Sequence, residues 1–273
     1  MSKAASPEEF LRVLEPALEQ AAAIAAALEG RVANRPKSGE ASDVKAALTV
    51  ADTAAQEALL VPLLARFGAA RLEAEEDTRS VARFTGEADD VRIVIDPIDG
   101  TFRFFLGGRG PYAVMAGLAI AGRYEAALLA LPREGLRFSA LRGRGARDSS
   151  GMPAALSRSG AGLLVSDGVA DAVAERLRAA GFEVGLGCGG AVAVAPLVPG
   201  VRGGLRLATP HSISTRGRIG VLIAREAGAL VETAAGAPFP AALDAPVSSL
   251  VVADAPEVAA EIRGALAELR HVC

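Results

Sequence analysis

Apolar side chains recur at Phe10, Leu11, Leu14, Leu18, Ala22 and Ala25, the spacing of one helix face, and Ser6-Pro7-Glu8-Glu9 ahead of them is a helix-start signal. The pattern predicts a long amphipathic helix over residues 7–32. Asn34-Arg35-Pro36-Lys37-Ser38-Gly39-Glu40 reads as loop, and helical periodicity resumes from Thr53 to Phe67 through Leu59, Leu60, Leu63 and Leu64, which puts Asp52 at that helix's entrance. Val91-Arg92-Ile93-Val94-Ile95 is rich in β-branched residues and bounded by acidic residues and proline, so it is a strand that delivers Asp96 at its end. Short apolar runs over 112–121, 124–131 and 136–141, separated by Gly, Pro or charge, predict an antiparallel meander.

Between Arg142 and Ser159 the composition turns to Gly, Arg, Ser and Asp, and a boundary between residues 1–150 and 151–273 is expected there. Beyond it the pattern alternates again: strand over 163–165, helix over 169–180, strand over 182–186, helices over 191–198 and 217–227, strand over 229–233 and a closing helix over 257–269. No internal repeat and no low-complexity tail interrupts the order.

Charge changes the picture by exclusion. Lys and Arg total 29 against 32 Asp and Glu, a net −3, and aromatic residues make up 4% with no Trp. Neither a general polyanion field nor base-stacking platforms can be assembled, so nucleic acid is not expected as a partner. Two cysteines, Cys188 and Cys273, build no disulfide framework, and with His211 and His271 they exclude a Cys/His zinc cluster or a three-His site. Any metal must be held mainly by oxygen. Met1 to Phe10 lacks an apolar signal core, and no run reaches the roughly 18 to 20 apolar residues of a membrane span, so a cytoplasmic protein without a membrane partner is expected.

Carboxylates concentrate where apolar segments end: Glu75-Glu76-Asp77 after one unit, Asp96-Pro97-Ile98-Asp99-Gly100-Thr101 after the next. Pro97 fixes φ and Gly100 permits an unusual one, so this turn can aim two carboxylates and a main-chain carbonyl at one point. Hard cations such as Mg²⁺ take that ligand set and bind phosphate oxygens in their remaining positions. Gly100 and Thr101 offer N–H groups and a hydroxyl to a phosphate. Taken alone, the turn reads equally well as an acidic surface turn, because Asp, Pro and Gly are ordinary turn residues.

The stretches around it resemble the inositol monophosphatase family of metal-dependent phosphatases. Leu48-Thr49-Val50-Ala51-Asp52 with Gln56-Glu57 is similar to the family's early Thr/Asp motif, and Ala74-Glu75-Glu76-Asp77 to its paired glutamates. Asp96 to Phe104 is similar to its most specific signature, Arg142-Gly143-Arg144-Gly145-Ala146 to its mid-chain glycine turn, and Gly220 to Gly228 to the helix after its last motif. The resemblance implies a layered α/β/α/β/α (α+β) fold of two subdomains with metals between them. It implies that Glu75, Asp96, the Ile98 carbonyl and Asp99 hold Mg²⁺, that Asp52 and Thr101 orient and help deprotonate the attacking water, and that Gly100 and Thr101 bind the phosphate. The expected partner is a small phosphorylated metabolite; a homodimer is the candidate assembly.

The sequence departs from the family at its last motif. Where the family carries a metal-binding Asp, Ser214-Thr215-Arg216-Gly217 places Arg216, a fixed positive charge that repels a cation and can instead clamp a phosphate. Thr209 stands where members that handle inositol carry a Glu meeting a sugar hydroxyl, and it joins Arg216 as a substrate-binding candidate. Arg103, Arg109, Arg206 and Arg218 add positive charge around the expected site. Cys188, in Gly185-Leu186-Gly187-Cys188-Gly189-Gly190, has no paired base and reads as packing; His211 reads as a surface residue. Two functions remain: Mg²⁺-dependent hydrolysis of a phosphomonoester such as an inositol phosphate, sugar phosphate or phosphonucleotide, or a catalytically impaired relative that binds an anionic ligand or a protein.

Overall fold

The structure is a computed structural model that describes residues 6–39, 43, 47–87, 90–208 and 211–267. Helix α1 (Pro7–Leu28) starts where Ser6 accepts a hydrogen bond from the Glu9 N–H and Pro7 supplies a pre-set φ, and it buries Phe10, Leu14, Leu18, Ala21 and Ala25. It ends before the expected residue 32 because the chain turns at Gly30, whose φ is 69°. Helix α2 (Val50–Phe67) lies beside α1, with the Phe10 and Phe67 rings edge to face at 5.8 Å between centroids.

The first sheet runs β1 (Arg71–Glu73), β2 (Val91–Asp99), β3 (Ala113–Ile120), β4 (Arg123–Leu131), β5 (Leu136–Leu141) and β6 (Ala146–Asp148), in spatial order. β1 is parallel to β2 and the rest is the antiparallel meander. β3 and β4 are buried on both faces, which is why they read as continuous apolar runs instead of alternating ones. β6 lies inside the polar stretch after Arg142, so part of that stretch belongs to the first sheet.

The second sheet has the order β10-β11-β9-β7-β8, built from β7 (Gly162–Val165), β8 (Glu183–Leu186), β9 (Val201–Leu207), β10 (Leu230–Glu232) and β11 (Ser249–Ala253). β7 is parallel to β8 and β9, and β11 is antiparallel to both its neighbours. Helices α3 (Asp171–Ala179) and α6 (Pro256–Ala267) cover its outer face. Helices α4 (Gly189–Ala193) and α5 (Ile219–Glu226) fill the space between the sheets, α5 against β4 and β5, α4 against β9 and β3. The layers are therefore α1/α2, first sheet, α4/α5, second sheet, α3/α6: the expected α/β/α/β/α sandwich. The expected helix over 191–198 is instead α4 followed by a 3₁₀ turn at Ala195–Leu197, because Pro196 has no N–H to continue the ladder. Strands β6, β9 and β11 were not expected. In β9, a Cβ on Gly204 would stand 2.4 Å from the Val192 carbonyl oxygen, so glycine there lets α4 lie directly on the sheet.

Candidate active site

Thr49 and Asp52 begin α2 as a reciprocal cap. Asp52 is fully buried; its Oδ2 accepts from the Thr49 N–H at 2.8 Å and from the Thr49 hydroxyl at 2.7 Å. The Thr101 hydroxyl stands 2.8 Å from Asp52 Oδ1 and 2.9 Å from the Ile98 carbonyl oxygen, two acceptors for one hydrogen. Burial pushes the Asp52 carboxyl up, and the bonds from Thr49 and Thr101 pull it back down. The chain of hydrogen bonds thus runs from the cleft to a carboxyl sealed from water.

β2 stops regular pairing between Asp96 and Asp99, where its register against β3 shifts. Gly100 follows at φ 92°, and a Cβ there would stand 2.7 Å from the Phe104 ring and 2.9 Å from Cys188 Cβ, so both conformation and space require glycine. Thr101–Leu106 then forms a single π-helical turn, with the Phe105 N–H donating to the Gly100 carbonyl at 3.2 Å. The result brings Asp96, Ile98, Asp99 and Thr101 into the lining of a cleft of about 480 Å³.

Glu75 reaches the same cleft from the loop after β1. Its neighbour Glu76 points away: it is buried against Lys37 Nζ at 2.8 Å, while its backbone exchanges hydrogen bonds with the Gln56 amide at 2.6 and 2.9 Å. Gln56 and Glu76 thus clamp the Glu75 loop onto α2. Opposite, a 3₁₀ turn at Arg216–Arg218 presents Arg216, whose Nε lies 3.6 Å from Asp96 Oδ2 and whose Nη2 lies 3.7 Å from Glu75 Oε1. The preceding residue anchors this turn to the first sheet, the Thr215 hydroxyl donating to Glu73 at 2.6 Å and the Thr215 carbonyl accepting from the Tyr124 hydroxyl at 2.9 Å.

Asp96 is buried, and its carboxyl is held well above the usual carboxylate range by burial and by Glu75 and Asp99, with Arg216 opposing. Its Oδ1 has no hydrogen-bond partner. Asp99 Oδ2 accepts from the Gly190 N–H at 2.5 Å, which ties the end of β2 to α4.

Among the described residues no three Asp, Glu, His or Cys side chains converge closely enough to hold a metal ion. Mg²⁺ commonly uses only one or two carboxylates together with water and substrate phosphate. The buried, unpartnered Asp96 Oδ1, the Glu75 carboxylate and the Ile98 carbonyl suit one such ion. A second ion between Asp96 and Asp99 does not suit the site, because Arg216 stands on Asp96 Oδ2 and Asp99 Oδ2 is engaged by Gly190.

The cleft gathers Glu75, Asp96, Ile98, Asp99, Gly100, Thr101 and Arg216, with Asp52 beneath Thr101. Thr209 lies outside the described residues. Arg218 does not join the charge around the site: it is buried and donates to the carbonyls of Ile213, Ala242 and Ala245. Arg109 does not line the cleft either, whereas Arg103 does, paired with Asp167 at 3.2 Å. The buried Cys188 thiol, pushed up by burial and Asp99, caps α4 by accepting from the Ala191 N–H at 3.4 Å; His211 is exposed at the rim. Sequence reading missed Ser166 and Asp167, which follow β7 and line the cleft, and the α4 N–H of Gly190, which holds Asp99.

Two sheets in five layers, with oxygen donors and a Thr/Asp pair at the cleft between them, define an inositol monophosphatase-like sandwich. The chain belongs to the inositol monophosphatase family, whose family model matches residues 8–177. A solved IMPase from Thermotoga maritima superposes with a TM-score of 0.74 at 19% identity, covering 94% of this chain and 98% of the other. The extragenic suppressor protein SuhB from Bartonella henselae gives 0.72 at 18% identity, covering 94% and 97%, and inositol monophosphatase from Anabaena gives 0.67 at 19%, covering 96% of each. No curated protein sequence matches the chain significantly. No helix among the described residues is long and apolar enough to cross a membrane.

Proposed function

We propose that the protein hydrolyses a small phosphomonoester with one Mg²⁺, held by Glu75, Asp96 and the Ile98 carbonyl, and with the Arg216 guanidinium in place of a second cation. The observation that carries this is the position of Arg216 on the two carboxylates, Asp96 and Glu75, at 3.6 and 3.7 Å. When bound, Mg²⁺ supplies Lewis-acid stabilisation of phosphoryl oxygens. The chain's own residues do the rest. Asp52 Oδ1 takes, through the Thr101 hydroxyl, the proton that the attacking water gives up. Gly100 and Thr101 hold the phosphate at the turn. Arg216 makes no close hydrogen bond to its two acids, so its fork is free to engage a phosphoryl oxygen and stabilise the charge that builds as the ester bond breaks.

Structural neighbours include an inositol monophosphatase-fructose 1,6 bisphosphatase and an IMPase/NADP phosphatase complexed with NADP and Ca²⁺. Their names support inositol phosphates, sugar phosphates and phosphonucleotides as the substrate panel for this chain. The same Arg216 contacts favour a second reading, in which the arginine neutralises the acids permanently and the cleft only binds an anion. Phosphate release over that panel, with and without Mg²⁺, separates them: Mg²⁺-dependent turnover of at least one substrate is expected, and binding without turnover at any Mg²⁺ concentration overturns hydrolysis.

A further inference from the structure

The cleft holds three arginines, and they are not equivalent. Arg216 faces Asp96 and Glu75, and Arg103 pairs with Asp167. Arg206, on β9, lines the cleft with no carboxylate within ion-pair distance among the described residues; its Nη1 makes one long contact, 3.4 Å to the Gly217 carbonyl. The fold makes room for this guanidinium on two sides. A Cβ on Gly189 would stand 2.0 Å from Arg206 Nη1 and 2.5 Å from Cζ, and a Cβ on Gly217 would stand 2.6 Å from Nη1. Both glycines have ordinary backbone conformations, so neither is required by φ. They leave space for the arginine head. Gly189 precedes the residue that binds Asp99, and Gly217 follows Arg216, so the cradle opens beside the acidic cluster.

A positioned guanidinium with its donors largely unspent is a fork for an oxyanion. Arg216 and the Gly100–Thr101 turn already serve the scissile phosphate. We infer that Arg206 binds a second anionic group, phosphate or carboxylate, carried by the same small molecule. The substrate class is therefore a phosphomonoester with a further oxyanion. This rests on the phosphomonoester reading above, as the choice of substrate within it.

The test uses matched pairs that differ by one anionic group: fructose 1,6-bisphosphate against fructose 6-phosphate, and 3-phosphoglycerate against glycerol 3-phosphate. KM is measured with Mg²⁺, and binding is measured by calorimetry without Mg²⁺, for the wild type, Arg206→Met and Gly189→Ala. In at least one pair the wild type should favour the member with the second anionic group by about tenfold, the scale of one charge-assisted hydrogen bond, and Arg206→Met should erase that preference. Gly189→Ala should do the same by displacing the guanidinium, at little cost to the fold, since its nearest obstacles are the flexible end of Arg206. The pair that shows the preference identifies the second group as phosphate or carboxylate. A preference that survives both variants, or none in the wild type, overturns the assignment. Because binding is read separately, discrimination without turnover would keep Arg206 as the reader and sink hydrolysis, while turnover without discrimination would do the reverse.

Discussion

The two walls of the cleft are built on opposite terms. On the α2 side, Asp52, Thr49, Thr101 and the Ile98 carbonyl are joined by bonds of 2.7 to 2.9 Å, and both Asp52 oxygens have partners. On the Arg216 side, Asp96 and Glu75 meet a cation only at 3.6 and 3.7 Å, and a buried oxygen of Asp96 is left unpaired. A buried polar group pays for itself only when it is hydrogen-bonded or faces an opposite charge. The first wall is thus complete in the protein alone, as the proposed proton acceptor requires. The second is balanced loosely, as suits a surface that must exchange partners during a reaction. Preorganisation belongs to the water side and adaptability to the phosphate side.

The largest expected effect breaks the preset wall. Thr101→Val removes the hydroxyl that links water to Asp52 and should lower kcat by about a hundredfold or more, with KM moved far less; full turnover in a folded variant would remove Thr101 from the proton path. Asp96→Asn attacks the other wall and should abolish Mg²⁺ binding in calorimetry, and unchanged affinity would remove the metal assignment. Next comes Arg216→Asp, which should raise Mg²⁺ affinity by restoring a third acid and yet lower kcat/KM by about tenfold, because a clamp on phosphate is lost. A rise in turnover on every active substrate would show that the arginine is a defect, not an adaptation.

A smaller effect separates stability from chemistry. Thr49→Val removes the hydroxyl of the α2 cap and should cost about 1 kcal/mol in denaturant unfolding, without changing Mg²⁺ affinity. The smallest uses Glu134, which shares with Asp96 a buried, unpartnered oxygen but lies outside the cleft. Burial raises its carboxyl above the ordinary 4.5, so folding holds its proton more tightly than the unfolded chain does. Its contribution to stability is present below the unfolded-state value and is lost as pH rises through the folded one. Glu134→Gln should therefore melt slightly higher than wild type near pH 7, with the difference closing by about pH 4. A constant difference across that range would mean the effect is packing.

What was legible in the sequence was local. The turn from Asp96 to Thr101 announces itself because a β-branched strand, a proline and a glycine lie within ten residues of one another, and the α1 start is read from Ser6 and Pro7 alone. Thr49 and Asp52 were found as a motif, but that they form a helix cap belongs to the backbone at Val50. Strand β9 stayed hidden because Gly203 and Gly204 dilute its apolar pattern, and those glycines answer to α4, not to the strand. Arg216 was singled out by its place in the motif order, yet its contact with Glu75 joins residues on opposite sides of the boundary region. Arg218, two residues on, shows the limit of counting charges: the same residue type is spent on three carbonyls in the interior. The cradle of Arg206 needs Gly189 and Gly217 side by side, and no spacing along the chain announces that.

The bond from the Gly190 N–H to Asp99, with the anchoring of Thr215 to Glu73 and Tyr124, has a kinematic meaning. Each ties a segment from the second half of the chain to the first sheet and ends within a residue or two of the cleft. A hinge between the halves would have to break them together. At the rim, by contrast, the tie is ionic and partly exposed: Arg103 and Asp167, both lining the cleft, pair at 3.2 Å. That tie is the electrostatic fastening of the rim, and raising ionic strength weakens it, because exposed ion pairs are screened by salt.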